Sequence, residues 1–334
     1  MKKNLYSRRD MFGMASVALT PAALFSPMRA NAQSKTKMRI GTHASISAHL
    51  FMRKKPELLK HLGKTYDIEW VNFSGGGEAL PALVSGNLDG CLATPFPFAN
   101  AINKSRVPIT IVHQLLSMGF DGHYDDFTVV RTDSGIEKIE DLKGKIFGVN
   151  AIGGTNEQAA KIIAKKHGLD PNRDITFVEG RPPFLPTLLK NKKIDAATLF
   201  QPFYNDAMAK GDTKKLYSTS DVYGGPTDYV FMVFSEKYLN ENRNAVKAYI
   251  EDYLIAVNWA LDNRSEAVKI YSEQWKLPLE IVDSYLLTKS DYLVRRDGSL
   301  SIERIQPIIS TLAEAGFISN LDLSKHFDIS LLPK

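Results

Sequence analysis

From residue 38 onward, short runs of β-branched and aromatic residues alternate with longer amphipathic stretches. Short runs of this kind are typical of strands, whereas an apolar period of three to four residues is typical of helices. The pattern predicts strands at residues 38–43, 68–73, 89–94 and 107–112, and helices at 47–60, 77–86 and 96–104. Because strands and helices alternate, we expect a mostly parallel sheet that is covered by helices.

A second series of the same kind follows, and the rest of the chain is helical. The second series predicts strands at residues 126–131, 145–150, 175–180 and 195–200, and helices at 155–167, 183–191 and 202–210. After an apolar run at 224–235, amphipathic stretches occupy residues 242–274, 278–290 and 301–315. These last helices bring no sheet of their own, so we expect them to pack on the first lobe.

The pattern therefore predicts an α/β fold with two lobes, each a mostly parallel sheet flanked by helices. The length of 334 residues agrees with two cores, because single cores seldom grow past about 250 to 300 residues. We place lobe one at residues 33–124 plus 228–334 and lobe two at residues 125–227. The crossings near residues 122–127 and 224–231 would then form a two-segment hinge.

The first 32 residues have the features of an export signal. Four basic residues precede an apolar run of about 15 residues, and small residues suitable for cleavage end at Ala32. That run is shorter than the roughly 20 residues of a membrane-spanning helix. The stretch SRRDMFG at residues 7–13 resembles a twin-arginine signal. We expect a periplasmic protein that is cleaved near Ala32.

Composition excludes several other classes of protein. Removing the leader takes away five basic residues and one acid, so the formal net charge falls from +5 to +1. The remaining basic residues are scattered, which argues against a nucleic-acid partner. The chain has a single cysteine, Cys91, which excludes an intramolecular disulfide. We expect Cys91 to be a small buried hydrophobic residue of a strand. The histidines lie far apart and no nucleophile motif occurs, so we predict no metal, no cofactor and no catalytic residue.

Glycine-rich segments stand where a strand gives way to a helix in each lobe. Ligands of open α/β sheets bind at the carboxyl ends of the strands, and helix starts offer unpaired N–H groups to anions. Lobe one has Ser74, Gly75, Gly76 and Gly77 at such a junction, and lobe two has Gly153, Gly154 and Thr155. The alternative is that both segments are tight turns that cap helices. The sequence of residues 148–155 also nearly matches the motif of a phosphate-binding loop, but Gly154 replaces the lysine that nucleotide hydrolysis needs.

A Pro-Phe segment, here called a corner, follows one predicted strand in each lobe, and both of these strands begin with an aspartate. ATPFPF places Thr94 and Phe96 after one strand, and LFQPF places Gln201 and Phe203 after the other. These positions fall beside the glycine junctions, so the corners could line both walls of a cleft. Alternatively, each Pro-Phe pair is a helix start packed into the core. Arg181, just past a strand end, could pair with a carboxylate or sulfonate, and His43 could donate into the cleft.

Several of these segments resemble the periplasmic solute-binding proteins of ABC importers, in the group that includes sulfonate-, taurine- and nitrate-binding proteins and relatives of the thiamine-pyrimidine group. DLKGK at residues 141–145 and DAATLFQPF at residues 195–203 are the most specific. The resemblance spans nearly all of residues 38–320. It implies two lobes that close on a solute, bound at positions that correspond here to Thr42, His43, Ser45, Ser74, Gly75, Gly76, Gly77, Thr94, Phe96, Gly153, Gly154, Thr155, Gln201 and Phe203.

The resemblance also implies partners: a membrane permease, its ATPase and a small organic solute, with a monomeric receptor. Many relatives have glutamate where this chain has Gln201, and the loss of that charge favours an anionic ligand. We expect an alkane- or arenesulfonate or an aromatic carboxylate. If Glu78 faces the cleft, the ligand is instead neutral, cationic or zwitterionic. A secreted or cytoplasmic enzyme on the same scaffold, acting on a pyrimidine or aromatic acid, is the other alternative.

Overall fold

The computed structural model describes residues 35–43, 48–73 and 76–333 of the chain. The predicted leader, residues 1–32, lies outside the described residues, as do Ser45, Ser74 and Gly75. No helix within the described ranges is both long enough and apolar enough to cross a membrane.

Five strands form the first sheet: β1 (Thr36–His43), β2 (Tyr66–Phe73), β3 (Gly90–Ala93), β4 (Ile109–Met118) and β10 (Thr227–Ser235). Their order is β2-β1-β3-β10-β4. Strand β1 pairs in parallel with β2 and β3, whereas β10 is antiparallel to both β3 and β4. Eight of the nine residues of β10 are buried, as a central strand requires when helices cover both faces of a sheet.

The second sheet repeats this topology with β5 (Phe127–Arg131), β6 (Lys145–Val149), β7 (Ile175–Glu179), β8 (Ala196–Leu199) and β9 (Thr213–Ser218). Its order is β7-β6-β8-β5-β9, and β5 is the antiparallel strand beside β8 and β9. The prediction of an α/β fold with two sheets flanked by helices is confirmed. The residue boundaries that we gave for the two lobes stay a prediction.

Twelve α-helices lie in the described part of the chain: α1 (His49–Lys54), α2 (Gly76–Val84), α3 (Pro95–Ser105), α4 (Thr155–Lys166), α5 (Leu185–Lys190), α6 (Phe203–Ala209), α7 (Thr219–Tyr223), α8 (Glu236–Glu241), α9 (Arg243–Asp262), α10 (Arg264–Trp275), α11 (Leu279–Asp283) and α12 (Ile302–Glu314). The amphipathic stretch at 242–274 is thus two helices, which separate at Asn263. The stretch at 278–290 is helical only in α11, so that part of the prediction is wrong.

Helix α9 is fixed to the first sheet by one buried carboxylate. Asp252 has no exposed surface and accepts hydrogen bonds from the backbone N–H groups of residues 60–62, at 2.8–3.2 Å. The hydroxyl of Tyr66, on β2, donates to the same carboxylate at 2.8 Å. These bonds join the helical third of the chain to the region of the first sheet.

We expect Asp252→Asn to lower the free energy of unfolding by about 2 to 3 kcal/mol, because an amide offers these donors one acceptor oxygen instead of two. Urea unfolding followed by circular dichroism measures the change. Glu251→Gln is the matched control, since Glu251 is the next residue and makes half-exposed ion pairs with Lys60 and His61. Its effect should stay below about 1 kcal/mol, and equal effects of the two variants would contradict the assignment.

Candidate functional site: the contact between the two sheets

Residues from the ends of β3 and β6 meet at the contact between the two sheets. Thr94 follows β3 as the residue before α3, and Thr155 is the first residue of α4. The Thr155 hydroxyl donates to the Thr94 hydroxyl at 2.9 Å, and the N–H of Phe96 donates to the Thr155 hydroxyl at 3.2 Å. Three residues predicted for the site are therefore in direct contact.

The glycine junction of the second sheet differs from expectation. The N–H of Gly153 donates to the Glu157 carboxylate at 2.6 Å, and the N–H of Gly154 donates to the carbonyl of Ala151 at 3.2 Å. The neighbouring N–H of Ile152 donates to Glu179 at 2.9 Å. Our prediction that Gly153 and Gly154 offer free donors to an anion is corrected, because the chain's own oxygens accept these hydrogen bonds.

The described part of the other glycine junction begins a helix, as predicted. Gly76 and Gly77 are the first two residues of α2, and Glu78 in its first turn is exposed. Thr42 is buried near the end of β1, and His43 is the last residue of that strand. A groove of about 300 Å³ runs between α2 and α3 and is bordered by Gly153 of the second junction.

Gln201 lies at the contact between the sheets. Its side-chain nitrogen is engaged, so the atom it leaves for another molecule is the amide oxygen, which is an acceptor. The side-chain N–H groups of Gln201 donate to the Ser290 carbonyl and to Asn205, both at 3.0 Å. Because the Ser290 carbonyl can only accept, the nitrogen must face it and the oxygen must face away. The Gln201 Oε1 atom is buried and finds no donor among the described residues. The argument that the loss of a carboxylate at this position favours an anionic ligand stays a prediction, and the amide turns its oxygen rather than its N–H groups away from Ser290.

Two further candidates, Phe203 and Arg181, lie in different surroundings, the first in the core and the second at the surface. Phe203 is 5 % exposed and packs edge-on against Trp275 at a centroid distance of 5.5 Å, so the core interpretation of this Pro-Phe corner is the correct one. Arg181 is exposed and follows β7, which is the edge strand of the second sheet. Among the described residues, no hydrogen bond joins Arg181 to Thr94, Thr155 or Gln201, and its place in the site stays a prediction.

A cavity of about 40 Å³ adjoins Gln201. Apart from Gln201, its lining comes from the start of α1, from β4 and from the helical third of the chain: Ala48, Phe51, Leu116, Val257, Ala260, Tyr271, Tyr285, Leu286, Leu287, Asp291, Tyr292 and Val294. The lining is mainly apolar and aromatic, with a few polar groups, as is usual for small-molecule sites. Residues from α1, β4, the segment after β8 and the helical third thus meet around one partly open space.

The cavity contains two polar groups that sequence reasoning missed. The Tyr285 hydroxyl is buried and, like Gln201 Oε1, is unpaired within the described ranges. Asp291 accepts from the N–H groups of Leu287 and Tyr292, both at 2.8 Å. Burial raises the pKa of Asp291 to about 7. Tyr285 and Asp291 both lie in the segment that follows α11, where the helical pattern in the sequence carried no signal for a site.

A buried network surrounds the predicted outgoing crossing. Asp126 accepts from the amide of Asn156 on α4, at 2.9 Å, and from the hydroxyl of Tyr292. The hydroxyl of Tyr229, on β10, donates to Asn156 at 2.6 Å. Burial raises the pKa of Asp126 to about 7, and the carboxylate of Asp125 adds to that rise. These hydrogen bonds thus connect both crossings to the first turn of α4.

This arrangement of two five-stranded sheets with facing strand ends is the fold of the two-lobed periplasmic binding proteins. The chain belongs to the NMT1-like family, whose model matches residues 31–272. The resemblance found in the sequence is confirmed.

Known proteins resemble the chain at low identity over most of its length. It is 22 % identical over 279 residues to a nitrate/nitrite binding protein of Nostoc, covering 78 % of this chain but only 63 % of that protein. It is 21 % identical over 285 residues to a putative aliphatic sulfonates-binding protein of Escherichia coli, covering 83 % of each.

A solved structure shares the fold. The alkanesulfonate-binding protein of Xanthomonas axonopodis pv. citri, bound to MOPS, is 19 % identical with a TM-score of 0.71. The match covers 88 % of this chain and 98 % of that one. All three of these relatives are named as binding proteins.

Proposed function

We propose that this protein is the periplasmic solute-binding component of an ABC importer and captures a small organic solute between two lobes. The observation that carries the proposal is the contact of Thr94, Phe96 and Thr155, where residues that follow β3 and β6 meet. Open α/β sheets bind ligands at this edge. The protein performs no chemistry on its solute and delivers it to a membrane permease with its ATPase.

The preferred solute is a small organic anion, a sulfonate or an aromatic carboxylate. The names of the relatives support this class, since two of them bind sulfonates and one binds nitrate or nitrite. The oxyanion would lie at the start of α2, because the N–H groups of Gly153 and Gly154 are engaged within the chain. The leader would direct the protein to the periplasm, by the twin-arginine route, with cleavage near Ala32.

Native mass spectrometry of the mature protein, purified without added ligand, tests the proposal by the mass of any co-purifying solute. Thermal unfolding with added sulfonates and carboxylates is the second measurement. A ligand at 100 times its Kd should stabilise the folded protein by about 2.7 kcal/mol. Turnover of the bound compound, or the absence of stabilisation by any member of either class, would contradict the proposal.

The threonine contact gives a direct prediction about closure. Thr155→Val keeps the shape of the side chain but removes the hydroxyl that links Thr94 to the N–H of Phe96. We expect the Kd for the solute to rise about fivefold to tenfold, because closure loses two hydrogen bonds. Isothermal titration calorimetry measures this change.

Thr128→Val is the matched control for this prediction. The Thr128 hydroxyl bonds to Thr198 at 3.0 Å between two strands of the second sheet, away from the contact between the sheets. Its Kd should equal that of the unmodified protein. An unchanged Kd in Thr155→Val, or an equal rise in both variants, would show that the threonine contact does not support the bound state.

A further inference from the structure

The guanidinium of Arg53 is the feature that the proposed function leaves unexplained. Arg53 lies near the end of α1, and its Nε and Nη2 atoms are buried without a hydrogen-bond partner in the described part of the chain. Burial lowers the pKa of Arg53, yet a guanidinium stays charged at neutral pH. A buried charge without a partner is strongly unfavourable, so we expect an anion to pair with it.

Other arginines of low exposure have a carboxylate partner within the chain. The side chain of Arg131 is 11 % exposed and pairs with Asp133 at 3.0 Å. The side chain of Arg295 is 14 % exposed and pairs with Asp228 at 2.5 Å. Arg53 has no such partner among the described residues, and no carboxylate there offsets the effect of burial on its pKa. The chain therefore leaves the counter-ion of Arg53 to another molecule.

The two unpaired nitrogens form one side of the Arg53 guanidinium. Nε and Nη2 can donate together to two oxygens of one carboxylate or sulfonate group. On the other side, Nη1 donates to the side-chain oxygen of Asn72 at 3.2 Å, and the guanidinium carbon lies 4.5 Å from the ring centroid of Trp70. These two contacts fix the plane of the guanidinium. Arg53 thus presents a preorganised pair of donors, which lowers the entropic cost of binding.

These donors lie beside the carboxyl ends of β1 and β2. Asn72 is the second-last residue of β2 and pairs in register with Thr42, the second-last residue of β1. Helical side chains lean towards the start of their helix, and α1 starts after the carboxyl end of β1. The Arg53 side chain is therefore directed towards the edge at which open α/β sheets bind ligands.

We propose that Arg53 binds the acidic group of the solute through Nε and Nη2. The inference rests on the proposed function and adds a binding residue that the sequence pattern did not indicate, since Lys54 and Lys55 make this segment look like an exposed basic helix end. The charge of the solute is then neutralised by a side chain of α1, at the end of β2 after which α2 begins.

Isothermal titration calorimetry with ethanesulfonate, benzenesulfonate and benzoate tests the assignment. Arg53→Met should raise the Kd of the tightest-binding of these anions at least about 50-fold, because two charge-assisted hydrogen bonds are lost. Arg53→Lys should still bind at least about tenfold more weakly than the unmodified protein, since lysine keeps the charge without the paired donors.

Lys54→Met is the matched control, because it removes the same charge from the next residue of α1, which is exposed. Its Kd should change less than about twofold, since water and salt screen an exposed charge. Equal Kd values for the unmodified protein and Arg53→Met, or equal rises in Arg53→Met and Lys54→Met, would overturn the inference and leave the proposed function standing.

Thermal unfolding without ligand separates a binding role of Arg53 from a structural one. Because Arg53→Met removes a buried charge that has no partner, its Tm should equal or exceed that of the unmodified protein. Replacing an arginine that stabilises the fold would lower the Tm instead. A lower Tm together with an unchanged Kd would overturn the inference. If Arg53→Met does not fold, Arg53→Lys takes its place, and an unchanged Kd in that variant would refute the assignment.

Failure of the anionic-solute proposal has a different result. If none of the three organic anions binds the unmodified protein, that proposal fails, and sodium sulfate becomes the probe for Arg53. Saturable thermal stabilisation of the unmodified protein and of Lys54→Met, but not of Arg53→Met, would support an oxyanion site at Arg53. Equal stabilisation of all three proteins, or of none, would overturn it, since sulfate also stabilises proteins without a specific site.

Discussion

Asp228→Ala should lower the free energy of unfolding by about 3 to 5 kcal/mol, the largest effect on stability that we expect. Asp228 lies on β10 and has no exposed surface. Its carboxylate accepts from Arg295 at 2.5 Å, from the Ser117 hydroxyl at 2.5 Å and from the N–H of Ser301 at 3.1 Å. Removing it leaves the Arg295 charge, which is only 14 % exposed, without its carboxylate partner.

Chemical unfolding of Asp228→Ala and of a control measures this effect. Asp262→Ala is the control, because Asp262 pairs with Arg296 at 2.8 Å while both side chains are more than half exposed. Exposed pairs contribute about 0 to 1 kcal/mol, so this variant should be almost as stable as the unmodified protein. The double variant Asp228→Leu with Arg295→Met should recover part of the loss, because no unpaired charge remains. Similar losses in Asp228→Ala and Asp262→Ala would refute the assignment.

The second large effect is on the pH dependence of stability, through Asp126. Burial raises its folded-state pKa to about 7, whereas an unfolded aspartate titrates near 3.9. The folded protein therefore holds this proton more tightly than the unfolded chain does. The contribution to stability is fully present below about pH 4 and is lost as the pH rises towards 7.

Asp126→Asn isolates this contribution, because asparagine resembles the protonated acid and does not titrate. Between pH 5 and 8, the free energy of unfolding of the unmodified protein should fall by about 2 kcal/mol relative to the variant. Asp125 and Asp291, whose pKa values are also raised by burial, remain in both proteins. Urea unfolding at several pH values measures the difference, and a constant difference would contradict the predicted titration.

Asp133 should contribute to the pH dependence of stability with the opposite sign to Asp126, and Asp133→Asn isolates that contribution. Asp133 is exposed, and its hydrogen bonds to Lys192 and Arg131 lower its pKa. The contribution of Asp133 to the free energy of unfolding is therefore present above its pKa in the unfolded chain. It is lost as the pH falls through its pKa in the folded protein. Because the site is exposed, the effect should be small and should diminish with added salt.

The segments predicted from the sequence are largely present in the structure, but their limits differ. Helix α4 begins at Thr155, as the glycine junction before it predicts, and β6 lies within the predicted residues 145–150. Strand β9 was missed, because Lys214 and Lys215 interrupt the apolar pattern. It pairs along one side only, at the edge of the second sheet, where lysines are tolerated.

The candidate site was predicted only in part. Thr94, Phe96 and Thr155 do meet, since each stands at the end of a strand and two similar sheets face each other there. Phe203 does not line the cavity, because Trp275 from the helical third covers it. Tyr285 and Asp291 were missed for the same reason, since helical periodicity does not tell which distant strand a helix will cover.

The sequence by itself determined where most strands and helices lie, that two similar α/β units occur, and that their strand ends carry glycine, threonine and Pro-Phe segments. These properties depend on residues within a few positions of each other, through periodicity, capping and backbone freedom. The hydrogen bonds of Gly153 and Gly154 are equally local, since their acceptors, Glu157 and Ala151, lie four and three residues away along the chain. Only the tertiary structure decided that Ile152 donates to Glu179 and that Gln201 presents its oxygen, because these partners lie 27 and 89 residues further along the chain and are brought close only by packing.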